Sequence, residues 1–159
     1  IFAAASGAAN AYVAANFLST GSTTGAVSNW LMTPELSLDG SSALAFLVRT
    51  AGDGFLDKIE VRLSTSGASA DVADFGTLLD SFQASTDTGW VGLSYTLNGV
   101  AAPTTGRLAF HYVVDNVATA GNYLGIDDVV VTSVIPEPTT YLLMGLGVAG
   151  LMLRRRFTA

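Results

Sequence analysis

The sequence predicts an all-β protein, an antiparallel β-sandwich or jelly roll followed by a single C-terminal hydrophobic helix. Three observations lead to this fold class. Several short runs alternate apolar and polar residues, which is the period of a half-buried strand. Clusters of Gly, Asp, Ser and Thr separate these runs as turns. One apolar stretch near the C-terminus carries no charge for fifteen residues and ends at three arginines.

The length of 159 residues is enough for one domain with a sizeable core and is short for two. We therefore expect a β-sandwich domain over residues 1–133, a Pro-Glu-Pro linker over 134–138, and a short membrane helix with its arginine cluster over 139–159. Hydrophobic residues make up 50% of the chain and charged residues only 13%. That balance is typical of many short strands joined by small-residue turns.

The N-terminal segment begins with Ile1 rather than Met and is rich in alanine up to Ala15. It does not combine a basic region, an apolar core and a small-residue cleavage site, as a secretory signal does. We expect that the chain is a fragment or a processed form whose export signal lies upstream.

The clearest strand covers residues 58–63, where apolar and charged residues alternate without a break. Such a strand packs one face on a core and turns the other to water. The same alternation predicts four more strands, at residues 43–49, 89–97, 107–114 and 123–132. Regularly spaced short strands without helical patterns favour an antiparallel sandwich or jelly roll.

An ordered set of phrases in the body resembles a known family. The phrases are SNWLMTPELSLDG, LAFLVRT, DKIEVRLST, a strand containing Trp, GRLAFHYVV and YLGIDDVVV. Together, over residues 16–131, they are similar to the choice-of-anchor J domain, which is related to the cleaved-adhesin jelly roll of surface proteins. The resemblance implies a jelly roll, further strands upstream of this chain, and an anchoring tail.

Asp127 and Asp128 interrupt the last apolar strand and are the candidate metal ligands. Carboxylates beside a sheet can bind calcium where enough oxygen ligands converge, and related adhesin modules bind calcium; Asp128 is the better candidate. The alternative is that one Asp faces solvent while the other accepts backbone donors at a strand end or bulge. Asp53 and Asp57 flank Gly54 without the spacing of an EF-hand loop.

Trp30 and Trp90 are candidates for a sugar-stacking platform, which Tyr95 or Tyr112 would extend. Flat aromatic faces suit pyranose rings. Each tryptophan also lies in an apolar strand pattern, where packing in the core is the commoner role.

The sequence offers little for catalysis. His111 is the only histidine, the chain has no cysteine, and no Gly-x-Ser-x-Gly elbow is present. No second histidine is available for a metal pair. We predict a protein that is not an enzyme and that has no cofactor, with calcium as the alternative.

The last part of the chain differs from the rest in composition, with two prolines followed by an uncharged apolar run and three arginines. Pro136 and Pro138 flank Glu137 and prevent a strand or helix from continuing through them. A helix over residues 139–153 would span roughly 22 Å, at about 1.5 Å per residue, against a hydrocarbon core of about 30 Å. Snorkelling arginines and local thinning of the bilayer reduce this difference. The alternative is a buried C-terminal core helix.

The residues that would anchor and orient this membrane helix are apolar residues along it and the arginines that follow. The positive-inside rule places the arginines in the cytoplasm and the large domain on the periplasmic side. The residues are Leu142, Leu143, Leu146, Leu151, Arg154, Arg155 and Arg156.

Pro136-Glu137-Pro138, a short apolar helix and a terminal arginine cluster, in that order, resemble the PEP-CTERM sorting signal of Gram-negative bacteria. The resemblance covers residues 134–157. It implies that exosortase, a multi-pass membrane enzyme, recognises the tail, cleaves near the motif, and passes the protein on to the cell surface or the exopolysaccharide matrix.

The charge distribution excludes one class of partner. Residues 1–138 hold four basic and thirteen acidic side chains, an excess of nine negative charges. Such a body does not favour nucleic acid, because Lys and Arg contacts to phosphate supply much of that affinity. The leading hypothesis is a structural or interaction protein of the cell surface or matrix, associated with biofilm or exopolysaccharide. The alternatives are a carbohydrate-binding module and, more distantly, a hydrolase.

Overall fold

The computed structural model describes residues 1–87, 89–97, 100 and 103–133. These residues form nine β-strands and two short 3₁₀ helices, Phe17–Thr20 and Val72–Asp74. The strands are β1 (Val13–Asn16), β2 (Val27–Met32), β3 (Leu36–Leu38), β4 (Ala43–Thr50), β5 (Asp53–Ser64), β6 (Thr77–Thr86), β7 (Val91–Thr96), β8 (Thr104–Val114) and β9 (Tyr123–Thr132).

The strands make two antiparallel sheets. The four-stranded sheet has the order β1-β9-β4-β7, and the five-stranded sheet has the order β2-β8-β5-β6, with β3 pairing β8 beyond the end of β2. Apart from β5 and β6, strands that neighbour each other within a sheet are not consecutive in sequence, so the chain crosses repeatedly between the two sheets. The all-β antiparallel architecture expected from the alternating runs is confirmed.

The core lies between the two sheets. Leu44 and Val48 of β4 face Leu108 of β8, and all three are fully buried. Alternate residues of β5, β8 and β9 complete the same cluster, because successive side chains of a strand point to opposite faces. The apolar residues of the period-two pattern therefore line the inner faces of the two sheets.

A buried carboxylate links the two sheets at one corner. Asp57 of β5 is fully buried and accepts hydrogen bonds from the Tyr112 hydroxyl at 2.7 Å, the Asn122 backbone N–H at 2.8 Å and the Tyr123 backbone N–H at 3.2 Å. Asp53 accepts from the Asn122 side-chain amide at 2.7 Å. Three donors satisfy the buried carboxyl group, as burial of a polar group requires, so this pair of aspartates holds the start of β9 against β5.

The expected strands agree with the structure in position, and several others were not expected. The strand expected at residues 123–132 has the same bounds as β9. The strands expected at 43–49 and 107–114 fall within β4 and β8. The run at 58–63 is part of a longer β5, and 89–97 contains the shorter β7. The sequence did not indicate β1, β3 or β6, and for β2 it indicated only an apolar strand pattern around Trp30, without bounds.

The tail lies outside the described residues. The linker over 134–138 and the membrane helix predicted over 139–159 are both in that part of the chain. Within the residues that are described, no helix has the length and apolar character needed to cross a bilayer.

Candidate functional site

The outer face of the five-stranded sheet carries a small cluster that is separate from the core. Trp30 of β2 stacks on His111 of β8, with ring centroids 4.0 Å apart and planes 13° apart. Phe75, from the loop before β6, folds back over this face and packs against the indole at 5.8 Å. Register places Trp30 directly opposite His111, so the stack follows from the pairing of the two strands.

A chain of hydrogen bonds runs beneath the indole. Trp30 Nε1 donates to the Ser28 hydroxyl at 3.1 Å, and this hydroxyl lies 2.9 Å from His111 Nε2. On the other side of the ring, His111 Nδ1 is 3.3 Å from a carboxylate oxygen of Glu60. A neutral histidine that donates from Nδ1 to Glu60 and accepts at Nε2 from Ser28 satisfies every contact.

Glu60 is the electrostatic centre of this cluster. Its carboxylate is 2.6 Å from Lys58 Nζ and 2.7 Å from an Arg62 guanidinium nitrogen. Burial raises the pKa of Glu60, but the hydrogen bonds from Lys58 and Arg62 outweigh burial and lower the pKa to about 2. Burial lowers the pKa of His111 by more than the Glu60 carboxylate raises it. At neutral pH the cluster therefore holds an ionised Glu60 and a neutral imidazole.

The connectivity of Ser28, His111 and Glu60 is that of a relay for acyl transfer, but the surroundings favour a structural role. The serine oxygen already accepts from the Trp30 indole, and two cations hold the Glu60 charge. The network fixes His111 as a flat support under a half-buried indole. We call Trp30, His111, Glu60, Lys58 and Arg62 the tryptophan platform.

The outer face of the four-stranded sheet is covered by the chain's own N-terminal segment, residues 1–12. The Phe2 ring stacks on Tyr12 at 5.4 Å and meets the edges of Trp90 at 5.4 Å and Tyr123 at 5.3 Å. The guanidinium of Arg49 lies 4.7 Å from the Phe2 centroid, within the range of a cation–π contact. The segment therefore closes an aromatic cradle on this face.

Polar bonds align the segment over the cradle. Trp90 Nε1 donates to the Ala3 carbonyl at 3.0 Å. The Tyr12 hydroxyl donates to the Phe2 carbonyl at 3.0 Å and lies 2.9 Å from the Tyr123 hydroxyl. Burial, followed by the bond with Tyr12, raises the pKa of Tyr123 to about 12.

Asp127 and Asp128 hold the segment at Ala5 and Ser6 through hydrogen bonds, which we call the clasp. One Asp127 oxygen accepts from the backbone N–H groups of Ala5 at 2.8 Å and Ser6 at 3.3 Å, while its other oxygen accepts from the Asp128 N–H. Asp128 accepts from the Ser6 hydroxyl at 2.6 Å. Burial raises the pKa of Asp127, but the three backbone donors outweigh it and hold the pKa below its ordinary value.

A bulge in β9 begins directly after Asp127, which still pairs with Leu47 of β4, and it contains Asp128 and Val129. The pairing of β4 with β9 shifts between Ala45 and Leu47, and Asp128 has a positive φ of 49°. Asp adopts this left-handed conformation more readily than most residues. The bulge brings the Asp128 carboxylate to the side on which Asp127 already contacts the N-terminal segment.

This arrangement does not fit calcium, which takes six to eight oxygen ligands. The Asp127 oxygens accept hydrogen bonds from backbone N–H groups, and an Asp128 oxygen accepts one from the Ser6 hydroxyl. Within the described ranges, no three His, Cys, Asp or Glu side chains gather at a spacing suited to a metal ion.

The structure does not bring the expected sugar-binding aromatics together. Trp30 and Trp90 lie on different sheets, and both are half-buried outside the core cluster. The sequence favoured the core for both tryptophans, but the candidate aromatic residue that is buried in the core is Tyr112, whose hydroxyl donates to Asp57. Tyr95 points inward and packs beside Phe46. Trp30 alone remains as a candidate stacking surface, because Phe2 and Tyr12 pack on Trp90.

A cavity of about 210 Å³ opens between β1 and β2, the edge strands of the two sheets. Its walls are mainly apolar and include Val13, Leu31 and Phe110. Val13 is 52% exposed and Leu31 is 38% exposed. The sandwich is thus less completely closed along this edge than at its centre.

Sequence reasoning missed the partners of both sites. Nothing near His111 in sequence indicates Ser28 or Glu60, and nothing near Trp90 indicates Phe2. One signal was available: the alternation over residues 107–114 predicts His111 on the strand face opposite Phe110 and Tyr112. The sorting motif at Pro136, Glu137 and Pro138, the anchor leucines, and Arg154 to Arg156 lie outside the described residues.

Comparison with known proteins identifies the tail. Residues 134–156 match the model of the PEP-CTERM protein-sorting motif. Such a motif marks an exported protein that is anchored transiently in the membrane and then processed by exosortase. No curated protein sequence matches the chain.

Comparison with solved structures identifies the fold of the body. The K3 cleaved adhesin domain of Lys-gingipain from Porphyromonas gingivalis W83 matches with a TM-score of 0.53 and 24% identity over 67% of this chain. The K1 cleaved adhesin domain of the same protein matches with a TM-score of 0.56 and 18% identity over 68% of this chain. The chain spans 64% of the length of each of these two domains. The body therefore has the jelly-roll-like fold of cleaved adhesin domains.

Proposed function

We propose that this chain is a structural or interaction protein of the bacterial cell surface or extracellular matrix, sorted by exosortase and associated with exopolysaccharide in biofilm. The observation that carries the proposal is the PEP-CTERM motif over residues 134–156. A body with an adhesin-like fold, an excess of acidic residues and no cysteine is compatible with an extracytoplasmic location.

The proposed orientation follows from charge. Arg154, Arg155 and Arg156 form a compact cation cluster directly after the apolar run. Arginines of this kind remain on the cytoplasmic side. The domain would then fold on the periplasmic side, where exosortase would release it near Pro136-Glu137-Pro138.

The proposed role is not enzymatic and requires no metal. The polar networks on both sheets are satisfied internally: Glu60 by two cations and His111, and Asp127 by three backbone donors. An arrangement of this kind supports a rigid surface for contact rather than a site for turnover.

The sorting motif is tested by replacing Pro136, Glu137 and Pro138 with alanines in the full-length gene, expressed in an exosortase-positive host. The apolar run stays intact, so the variant should still insert but should remain unprocessed in the inner membrane. Size on gels and cell fractionation measure this. A control variant carries alanines at Thr139 and Thr140 and should be processed normally. Surface delivery of the Pro-Glu-Pro variant at the level of the parent would contradict the proposal.

A carbohydrate-binding role is the second candidate, and the tryptophan platform favours it. The Trp30 indole is backed by the flat imidazole of His111. On the far side of His111, Glu60 carries its ion pairs with Lys58 and Arg62, so a stacking surface lies near charged groups. The acidic body favours neutral polysaccharides over acidic ones, because like charges repel.

Affinity electrophoresis in neutral glucans and in the host's own exopolysaccharide tests this candidate. Trp30→Ala should abolish the retardation of the protein, and Trp90→Ala, whose ring is packed beneath Phe2 and Tyr12, should leave it unchanged. Equal loss in both variants, or no retardation of the parent, would remove the platform as a sugar site.

A further inference from the structure

A second cavity, of about 200 Å³, opens on the outer face of the five-stranded sheet, beside the tryptophan platform. It is lined by residues of β5, β6 and β8 and by the loop between β8 and β9. Lys58 belongs to both the cavity and the platform, so the two adjoin. The side chains that line the cavity include Leu56, Lys58, Gln83, Val113, Asp115 and Asn116.

Strand pairing sets the distance between Trp30 and the far side of the cavity. Trp30 of β2 lies opposite His111 of β8, which lies opposite Glu60 of β5. Two residues before Glu60, Lys58 lies opposite Gln83 of β6. The path from Trp30 to Gln83 therefore crosses three strand spacings, about 14 Å at about 4.8 Å each. That is the length of several linked pyranose rings, and one ring cannot cover it.

The platform and the cavity lie between two walls, and we call them together the trough. On one side, the Phe75 ring packs 5.8 Å from Trp30, and the Phe75 carbonyl accepts from an Arg62 nitrogen at 3.2 Å. On the other side, the side chain of Asn116 accepts from the Ala118 N–H at 3.0 Å and holds the loop after β8. Both walls are fixed by bonds within the protein, so a ligand has little ordering of the chain to offset.

The trough has hydrogen-bonding groups that the protein does not use. In the part of the chain that the structure describes, the side chains of Gln83 and Asp115 make no hydrogen bond, and both residues are exposed. Lys58 bonds to Glu60, and an ammonium group with three donors keeps two more. Leu56, which is 46% exposed, adds apolar surface. Amide, carboxylate and ammonium groups beside an apolar surface suit a sugar ring, with its hydroxyl and C–H groups.

The volume and the charge of the trough define the class of ligand. A cavity of about 200 Å³ is smaller than the roughly 300–1,000 Å³ of pockets that enclose a drug-sized molecule, so it suits one ring of a longer chain. The charges in the trough sum to zero, with Lys58 and Arg62 against Glu60 and Asp115. Residues 1–138 carry an excess of nine negative charges, so the protein as a whole repels an acidic polymer.

We propose that the cavity is a second sugar subsite, and that the trough binds a neutral polysaccharide with one ring stacked on Trp30 and a later ring of the same chain in the cavity. This proposal rests on the carbohydrate-binding candidate and deepens it, because it gives the ligand a minimum length. A disaccharide on Trp30 does not reach Gln83 and Asp115. A longer chain does, and its second contact forms within one complex, at a high effective concentration.

The dependence of affinity on chain length tests the proposal. The purified full-length chain is kept in a mild detergent that has no sugar headgroup. Affinity electrophoresis in hydroxyethyl cellulose, dextran and galactomannan finds a neutral polymer that retards the parent. Oligosaccharides of that polymer, from two to six rings long, are then titrated by calorimetry. The affinity of the parent should rise about tenfold, as expected for one or two added hydrogen bonds, and should level off once the oligosaccharide spans the trough.

The double variant Gln83→Ala, Asp115→Ala should lose this gain and should bind the disaccharide like the parent. Ser94→Ala changes an exposed residue of β7 in the other sheet and is the matched control, which should keep the full gain. A double variant that binds the six-ring oligosaccharide as tightly as the parent overturns the second subsite and leaves Trp30 as a sugar site. A parent that no polymer retards overturns both the subsite and the carbohydrate-binding candidate, while sorting is tested separately in cells.

A blocking label gives an independent readout. Because the chain has no cysteine, Gln83→Cys can be labelled with a bulky maleimide that fills the cavity from its exposed side. The labelled variant should bind the six-ring oligosaccharide no more tightly than the disaccharide. Ser94→Cys with the same label is the control and should keep the gain. A gain with chain length that the label on Gln83→Cys leaves unchanged would contradict the proposal.

Discussion

Gly125 has no side chain, and the position of the N-terminal segment, residues 1–12, depends on this. We call this segment the arm. A Cβ at Gly125 would be within 3.0 Å of both Phe2 and Tyr12, closer than ordinary contacts. Gly92 lies on the same outer face, but a Cβ there would be 3.6 Å from Leu47, an ordinary contact distance. The two glycines therefore make a matched pair for testing the arm.

Gly125→Ala should displace the arm, whereas Gly92→Ala should leave it in place. Both changes replace glycine within a strand, so their effect on strand stability is similar and favourable. Limited proteolysis at the arm and the fluorescence of Trp90 in a Trp30→Phe background measure docking. Equal protection of the arm in both variants would show that the ring contacts over Gly125 do not hold it.

Asp127 makes arm docking depend on pH. Its pKa is lowered from an ordinary value of 3.8 in the docked state, so the clasp is fully formed above that value and is lost as pH falls through the lowered pKa. Undocking, followed by Trp90 fluorescence, should appear only in the acid range. Asp127→Ala should remove this transition, and Asp71→Ala, which changes an exposed aspartate elsewhere, should retain it.

Glu60 contributes to stability in a similar window. Its pKa of about 2 lies below the ordinary 4.5, so its contribution is complete above about pH 4.5 and fades toward pH 2. Urea unfolding of the parent should show a loss of free energy of unfolding across this range. Glu60→Gln should be less stable at pH 7 and should lose less on acidification. Identical slopes for both proteins would mean that the platform does not support the fold.

At the scale of elements, β8 and β6 differ in what their side chains do. β8 lies between two neighbours, β2 and β5, and its Leu108 is fully buried, while β6 is an edge strand whose Leu78 is 49% exposed. Burial in a close-packed core makes truncation costly, because a cavity adds to the lost transfer free energy.

Leu108→Ala should lower the free energy of unfolding by about 2–5 kcal/mol, and Leu78→Ala should change it by about 0.5 kcal/mol or less. Chemical denaturation at neutral pH measures both. Similar losses in the two leucine variants would be incompatible with the sandwich core described above.

At the scale of the whole molecule, the body and the tail are expected to be independent. The core cluster draws its residues from β2 to β9 and from the loops that join them, so residues 1–133 should fold without the apolar tail. A protein ending at Ser133 should be soluble and rich in β-structure by circular dichroism, with cooperative unfolding. A helical or unfolded spectrum from a protein that also carries the strands expected upstream would contradict this independence.

The tail should act as one unit for membrane retention. Replacing Arg154, Arg155 and Arg156 with glutamates reverses the charge that holds the end of the chain in the cytoplasm. We expect impaired retention or inverted orientation in cell fractionation, with the Pro-Glu-Pro motif unchanged. A lysine triplet at the same positions should behave like the parent, and loss of retention there would exclude charge as the cause.

The sequence by itself determined the all-β class, the positions of five strands and the identity of the sorting tail. These are local properties: alternation with period two is read within one strand, and the order of prolines, apolar run and arginines is read within one segment. β6 was missed because it is an edge strand, mostly exposed, whose sequence does not need to alternate. β1 and β3 are too short for a pattern to appear.

Only the tertiary structure decided what the candidate residues do. Trp90 packs against Phe2, Ser28 lies beside His111, and Asp127 accepts from the Ala5 N–H. The partners in these contacts are 83 to 122 residues apart in sequence. Such contacts follow from strand order and register, which pair β2 with β8 and place the N-terminal segment over β9. No local pattern encodes that order, because it is set by how two whole sheets bury their apolar faces against each other.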